Sequence, residues 1–196
     1  MTTPPGPEPR RRNAASTRQA ILDAAVAAFC QWGYDGVGVR DIAAKAGVTA
    51  MLVNRYFGSK EGLFEEAVEV VLAPPYIVPD TPENLVRLTV QALVARSAPA
   101  ADAQNPFQLT MLSAHNPRAA EIIRAAMLRH VVARLALLLP GDLAQERGEI
   151  LLSVVMGIWM MRKVIATPGL VAIPGERLES QLEAMLAVIA EPPAPE

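Results

Sequence analysis

The side chains with the most chemistry to offer cluster in one stretch, VGVRDIAAKAGVTAMLVNRYFGSK, from Val37 to Lys60. Within it Thr49, Asn54 and Arg55 carry a hydroxyl, a carboxamide and a guanidinium, while Ala50 and Met51 add small and soft apolar surface. None of these is a nucleophile paired with a base. They are the types that hydrogen-bond to base edges, bind phosphate oxygens and touch thymine methyl groups.

Five side chains act together only on one rigid face, and the stretch reads as helix, tight turn, helix. The first helix is expected over about Val39 to Ala46, with Ile42 and Ala43 inward. Gly38 is a weak N-cap, but Asp41 stands at the third helical position, where a carboxylate can reach back to the cap amide. Gly47 ends the helix and permits a turn conformation that a Cβ would strain. Thr49 caps a second helix over about Ala50 to Tyr56, and Val48 and Val53 can pack across its start. Ile42, Ala43, Val48 and Val53 then close a small core that fixes the crossing of the two helices. Thr49, Ala50, Met51, Asn54 and Arg55 are left outward, as a helix that enters a major groove requires.

The charge distribution agrees with that face. The net charge is −2, which by itself argues against a nucleic-acid partner. Residues 10–60 nevertheless hold eight cations and three anions, a balance of +5, against −7 for the rest. A basic head on an acidic body fits a nucleic-acid-binding unit joined to a domain with another task.

Composition removes other classes. A chain of 196 residues, 52% hydrophobic and of mean hydropathy +0.24, is too apolar for disorder and long enough to bury a core. The longest apolar-or-small stretch, Ile150 to Met161, is shorter than the ~20 residues a bilayer span needs. Asp23 interrupts the apolar run after Arg10, Arg11 and Arg12, so no secretory signal is recognised, and a cytoplasmic protein with no membrane partner is expected. Cys30 is the only cysteine and His115 and His130 the only histidines, which argues against a disulfide framework or a zinc site. With no Gly-rich phosphate loop and no metal cluster either, no catalytic residue, metal or cofactor is assigned, and the chain is not expected to be an enzyme.

The periodicity is helical almost throughout. A first helix is expected over about Thr17 to Trp32, with Ile21, Leu22, Ala25, Phe29 and Trp32 on one face and Gly33 as its stop. A fourth helix follows Ser59 and ends near Leu72 before Pro74. Longer helices are expected over about Thr81 to Ser97, 117–139, Asp142 to Ala166 (capped by Asp142) and Glu176 to Ala190, with a short helix around 104–114. The expectation is an all-α fold: an N-terminal three-helix helix-turn-helix head followed by a larger helical body. The Pro-rich ends, 1–15 with its three arginines and 192–196, read as a disordered basic arm and a disordered tail. On a DNA-binding head, such an arm would add phosphate or minor-groove contacts.

Three segments, TRQAILDAAVAAFCQWGYDG from Thr17, VRDIAAKAGV from Val39 and NRYFGSKEGLF from Asn54, together resemble the TetR-like (tetracycline-repressor-like) family of bacterial transcriptional regulators. The resemblance covers about Thr17 to Phe64, and the body resembles the family only in being helical and of suitable length. It implies a DNA-binding domain over 16–64 and an effector-binding and dimerisation domain over 65–191. It implies DNA contacts for Arg40, for Thr49 and Ala50 at the start of the recognition helix, for Tyr56 near a phosphate and for Lys60 at the start of the fourth helix, with Phe57 in the core. Two positions depart from the family pattern. Gly38 replaces a common Thr or Ser cap, and Asn54 replaces a tyrosine, so that a carboxamide that can pair with adenine or a phosphate stands where a ring and hydroxyl are usual.

For the body, the resemblance implies a homodimer on a palindromic double-stranded DNA operator, and a small hydrophobic effector whose binding shifts the heads. The sequence offers Phe107, Met111 and His115, at i, i+4 and i+8, with Met127 and Trp159, as effector contacts, and Arg124 and Arg162 as partners for an anionic one. Each is also an ordinary core or surface residue type. The helix from Asp142 is apolar nearly all round, with Ser153 and Gly157 allowing close approach, and is expected to pair with the last helix against their copies. A dimeric, effector-released repressor is the leading reading. The alternative is a helical DNA-associated or partner-binding protein without an effector.

Overall fold

The computed structural model describes residues 8–73, 81–98 and 106–191, with side chains from Ala14 onward. Every regular element among them is helical. In chain order the head contains α1 (Glu8–Trp32), α2 (Val39–Lys45), α3 (Ala50–Phe57) and α4 (Lys60–Leu72). The body contains α5 (Leu85–Arg96), α6 (Pro106–Ser113), α7 (Pro117–Met127), α8 (Ala133–Leu138), α9 (Ala144–Trp159), α10 (Pro168–Ala172) and α11 (Gly175–Ala190). A 3-10 turn over Pro82–Asn84 leads into α5, and π-helical turns over Leu128–Val132 and Met160–Val164 follow α7 and α9.

The head forms because α1 and α4 each bury one face. Ile21, Leu22, Ala25, Ala28 and Phe29 lie against the helix that carries Leu63, Phe64, Ala67 and Val68. Phe64 sits edge-on to both Phe29 and Tyr34, with ring centroids 4.9 Å apart in each pair. Gly33 closes α1 at φ +70°, and a Cβ there would stand 2.4 Å from the Leu112 carbonyl oxygen, so only glycine lets this turn seat against α6.

In the body, Val90, Leu93 and Val94 of α5 belong to the same buried core as Leu178, Leu182 and Leu186 of α11, the helix against which α5 packs. Two buried arginines tie helix ends together with no acidic partner among the described residues. Arg147 donates to the carbonyls of Ala190 (3.1 Å), Glu191 (2.8 Å) and Pro140. Arg162 donates to the Val94 carbonyl (2.9 Å), the Ser97 hydroxyl (3.0 Å) and the Leu170 carbonyl (3.1 Å). Such carbonyls carry the negative end of a helix and lack intrahelical donors, so a guanidinium satisfies them and is itself solvated.

Polar bonds join head to body. The Tyr34 amide donates to the buried Ser113 hydroxyl at 3.0 Å. Asn116 caps α7 through the amides of Arg118 and Ala119, and its own amide donates to the Asp35 carboxylate at 3.0 and 3.1 Å. Glu69 of α4 meets Arg129 at 2.6 Å and His130 at 2.5 Å.

The structure corrects several boundaries. α1 begins at Glu8 rather than near Thr17, so the backbone of residues 8–15, expected as a disordered arm, is helical; residues 1–7 and 192–196 lie outside the described residues. Trp32, expected on the apolar face of α1, is 54% exposed at the helix end. Asp142 does not cap α9, because Leu143 turns left-handed at φ 54° and takes that position with no side-chain bond. The short α10 was not anticipated from the sequence, and Pro168 opens it. No described helix is long and apolar enough to cross a membrane.

Candidate nucleic-acid interface and body cavity

The helix-turn-helix is built by local rules. The Gly38 amide donates to the Asp41 carboxylate at 3.0 Å and closes the start of α2. Gly47 takes φ +68° with nothing near its missing Cβ, so its role is the turn itself. The Thr49 hydroxyl accepts from the Leu52 amide at 3.3 Å and caps α3. Ile42, Ala43 and Val53 are buried and Val48 packs against them, the small core expected from the sequence.

That core leaves one face of α3 in solvent. Thr49, Asn54 and Arg55 are exposed, Met51 is 81% exposed, and Ala50 is half-buried beneath them. Arg40 on α2 is exposed as well. Phe57 is buried and Tyr56 is half-buried with its ring edge-on to it at 6.5 Å. Lys60 opens α4 behind the Ser59 cap, and its ammonium lies 4.5 Å from the centre of the Tyr34 ring. Arg18 is committed within the head: it pairs with Glu66 and stacks over Phe57 at 4.7 Å. Cys30 is 2% exposed, and burial pushes its thiol up to about 11, so it carries no nucleophilic role.

The sequence-proposed effector residues do not converge. Phe107 lines a body cavity and packs against Trp159 with ring centroids 5.8 Å apart. Met111 and Met127 pack against the core elsewhere. His115 lies beyond the end of α6, exposed, with its ring 3.5 Å from Asp35 at the head–body junction. The i, i+4, i+8 spacing fails there because the helix stops at Ser113. Arg162 is consumed by carbonyls and Arg124 is exposed, so neither lines the cavity.

Apart from Phe107, the cavity, about 30 Å³, is bounded by residues that sequence reasoning did not single out as contacts. α5 supplies Thr89, Ala92, Leu93 and Arg96, the π-helical turn supplies Val131, and α8 supplies Leu135. α9 closes it with Leu151, Leu152 and Val155. A signal was present: Leu85, Thr89, Leu93 and Arg96 follow one helical face, and two of the four are polar. A polar residue within an apolar stripe marks a wall that faces something other than core.

Comparison with known proteins gives this arrangement a family. The model for bacterial regulatory proteins of the tetR family matches residues 21–67, and the tetracyclin repressor-like C-terminal domain matches residues 81–189. The HTH-type transcriptional regulator BetI of Burkholderia mallei is 24% identical over 163 residues, spanning 77% of this chain and 84% of that protein. A TetR-family regulator structure from Rhodococcus sp. superposes with a TM-score of 0.69 at 18% identity, covering 90% of this chain and all of the other. The multidrug binding protein EbrR, solved in complex with proflavin, has a TM-score of 0.58 at 22% identity, covering 88% of this chain and 99% of its own. The second family model alone spans more than half the sequence, and the chain belongs to the TetR family as a helix-turn-helix transcriptional regulator.

Proposed function

We propose that this regulator is a homodimeric repressor that acts in the cytoplasm, binds a palindromic operator and is released from it by a small, mostly apolar effector. The observation that carries the reading is the solvent face of α3, on which Thr49, Met51, Asn54 and Arg55 stand exposed while Val53 and Phe57 hold the helix to the core. In this role Arg55, Asn54 and Thr49 make polar contacts to base edges and phosphates, and Met51 takes a thymine methyl. Arg40, Tyr56 and Lys60 flank them as phosphate contacts, and Ala50 keeps the approach close.

Apolar surface left open on α9 and α11 supports the dimer. Ile150 on α9 is 52% exposed and Val188 on α11 is 74% exposed, with Ser153 beside the first and Ala184 and Met185 beside the second. A Cβ at Gly157 would meet nothing within 4 Å, so this glycine is not required by packing within the subunit. A close helix–helix seam with a second copy accounts for all of these together. The apolar cavity supports an effector, and EbrR, which shares the fold, holds proflavin in its solved structure.

The test is the ratio of affinities for a duplex from the protein's own upstream region and for a random duplex, at matched salt. A specific repressor gives a ratio of about 10³ or more. A ratio near one would favour the alternative, a DNA-associated helical protein that reads no sequence.

A further inference from the structure

Two cations of the head lie over aromatic rings, and they differ in one respect. The Arg18 guanidinium stacks on Phe57 at 4.7 Å and also pairs with Glu66, so its charge is neutralised within the head. The Lys60 ammonium lies 4.5 Å from the centre of the Tyr34 ring, and no carboxylate among the described residues pairs with it. Its sequence neighbour Glu61 turns instead to Arg118 of α7, at 3.3 Å. A ring attracts an ammonium through its quadrupole and leaves the charge in place. Lys60 is therefore held but not neutralised, half-buried at the start of α4 and three residues beyond the end of α3. Arg40, Lys45 and Arg55 are exposed, with neither a ring nor an acid against them among the described residues.

Tyr34 makes a rigid platform. It is 9% exposed, its ring stacks with Phe29 at 6.3 Å and meets Phe64 edge-on at 4.9 Å. Its amide donates to the buried Ser113 hydroxyl at 3.0 Å, which fixes the turn against α6. Burial, then the carboxylates of Glu61 and Asp35, push its phenol up against a smaller opposing effect of Arg118, so the ring stays neutral beside the ammonium. The lysine stem is the flexible partner of the pair. A stem ordered in the free protein loses less freedom when an anion arrives, and that favours binding.

We infer that Tyr34 is a positioning residue for operator binding: its ring face holds the Lys60 ammonium, charge intact, for a DNA phosphate beside α3. This rests on the reading of Lys60 as a phosphate contact. Tyr34 itself touches no DNA and acts through the lysine.

The test is a double-mutant cycle on the full-length protein, reading affinity for a duplex from its own upstream region across a range of salt. Lys60→Gln should weaken binding about tenfold and flatten the dependence of log affinity on log salt by about 0.9 for each subunit bound. Tyr34→Leu should cost about fivefold with Lys60 present and almost nothing in the Lys60→Gln background, whereas a general disturbance of the head would cost the same in both. Tyr34→Phe, which keeps the ring, should bind within about twofold of wild type. A 3,4,5-trifluorophenylalanine at position 34 keeps the shape but drains the ring face, and should bind like Tyr34→Leu; it decides the matter alone if Tyr34→Leu does not fold. Equal costs of Tyr34→Leu in the two backgrounds, or a fluorinated ring that binds as well as Tyr34→Phe, would overturn the inference while Lys60 stands as a phosphate contact. If Lys60→Gln changes neither affinity nor salt dependence, the phosphate contact falls and the inference with it.

Discussion

Phe64→Ala is expected to destabilise the protein by about 3–5 kcal/mol, the range for removing a fully buried phenyl ring. Phe64 has no solvent exposure and stands between Phe29 and Tyr34, where α1, α4 and the turn after α1 meet. The loss extends beyond the head, because the Tyr34 amide is bonded to Ser113 at the end of α6. At the usual 2–4 °C per kcal/mol for a chain of this size, the melting temperature should fall by about 10 °C. Circular dichroism on heating measures it. Phe64→Leu, which keeps most of the volume, should fall by well under half as much. A drop of less than about 3 °C for Phe64→Ala would mean that the three rings do not hold the head together.

The pair Ile150→Asp and Val188→Asp is expected to yield folded monomers. Both side chains project into solvent, so the substitutions disturb little within the subunit. In a dimer they would bury carboxylates in an apolar seam without partners, which association cannot repay. Sedimentation should change from a two-subunit to a one-subunit mass, with the helical spectrum unchanged. Operator affinity should fall by about 10²–10⁴, the avidity lost when two heads are no longer linked. A variant that keeps the dimer mass would move the seam away from α9 and α11.

The parts of this molecule that could be read from sequence are those fixed by a few neighbouring residues. Gly47 and Thr49 define a turn and a cap regardless of the rest of the chain, and Asp41 closes on Gly38 three residues away. The end of α2 and the start of α3 follow from them. Thr89 and Arg96 on one face of α5 hint at a wall, but the cavity itself depends on how α5, α8 and α9 meet, which no local pattern states. His115 looked like a third contact on a continuing helix, yet α6 ends two residues before it. Leu143 adopts a left-handed conformation that its residue type gives no reason to expect, and this displaced the start of α9 from Asp142. Arg162 reads from the sequence as a partner for an anionic ligand or as a surface charge; its partners are carbonyls contributed by α5 and α10 and the Ser97 hydroxyl.

The central claim is that α3 lies in a major groove twice, once for each subunit. Met51 offers the most direct probe, since it is 81% exposed on that helix while Cys30 is buried with its thiol pushed up to about 11. In a Met51→Cys variant, an iron chelate attaches to the introduced thiol and not to Cys30. Bound to operator DNA, it should cut two symmetric clusters in major grooves on one face of the duplex, their centres about 34–36 Å or a multiple of that apart. A single cluster, or cutting spread evenly along the duplex, would contradict the account.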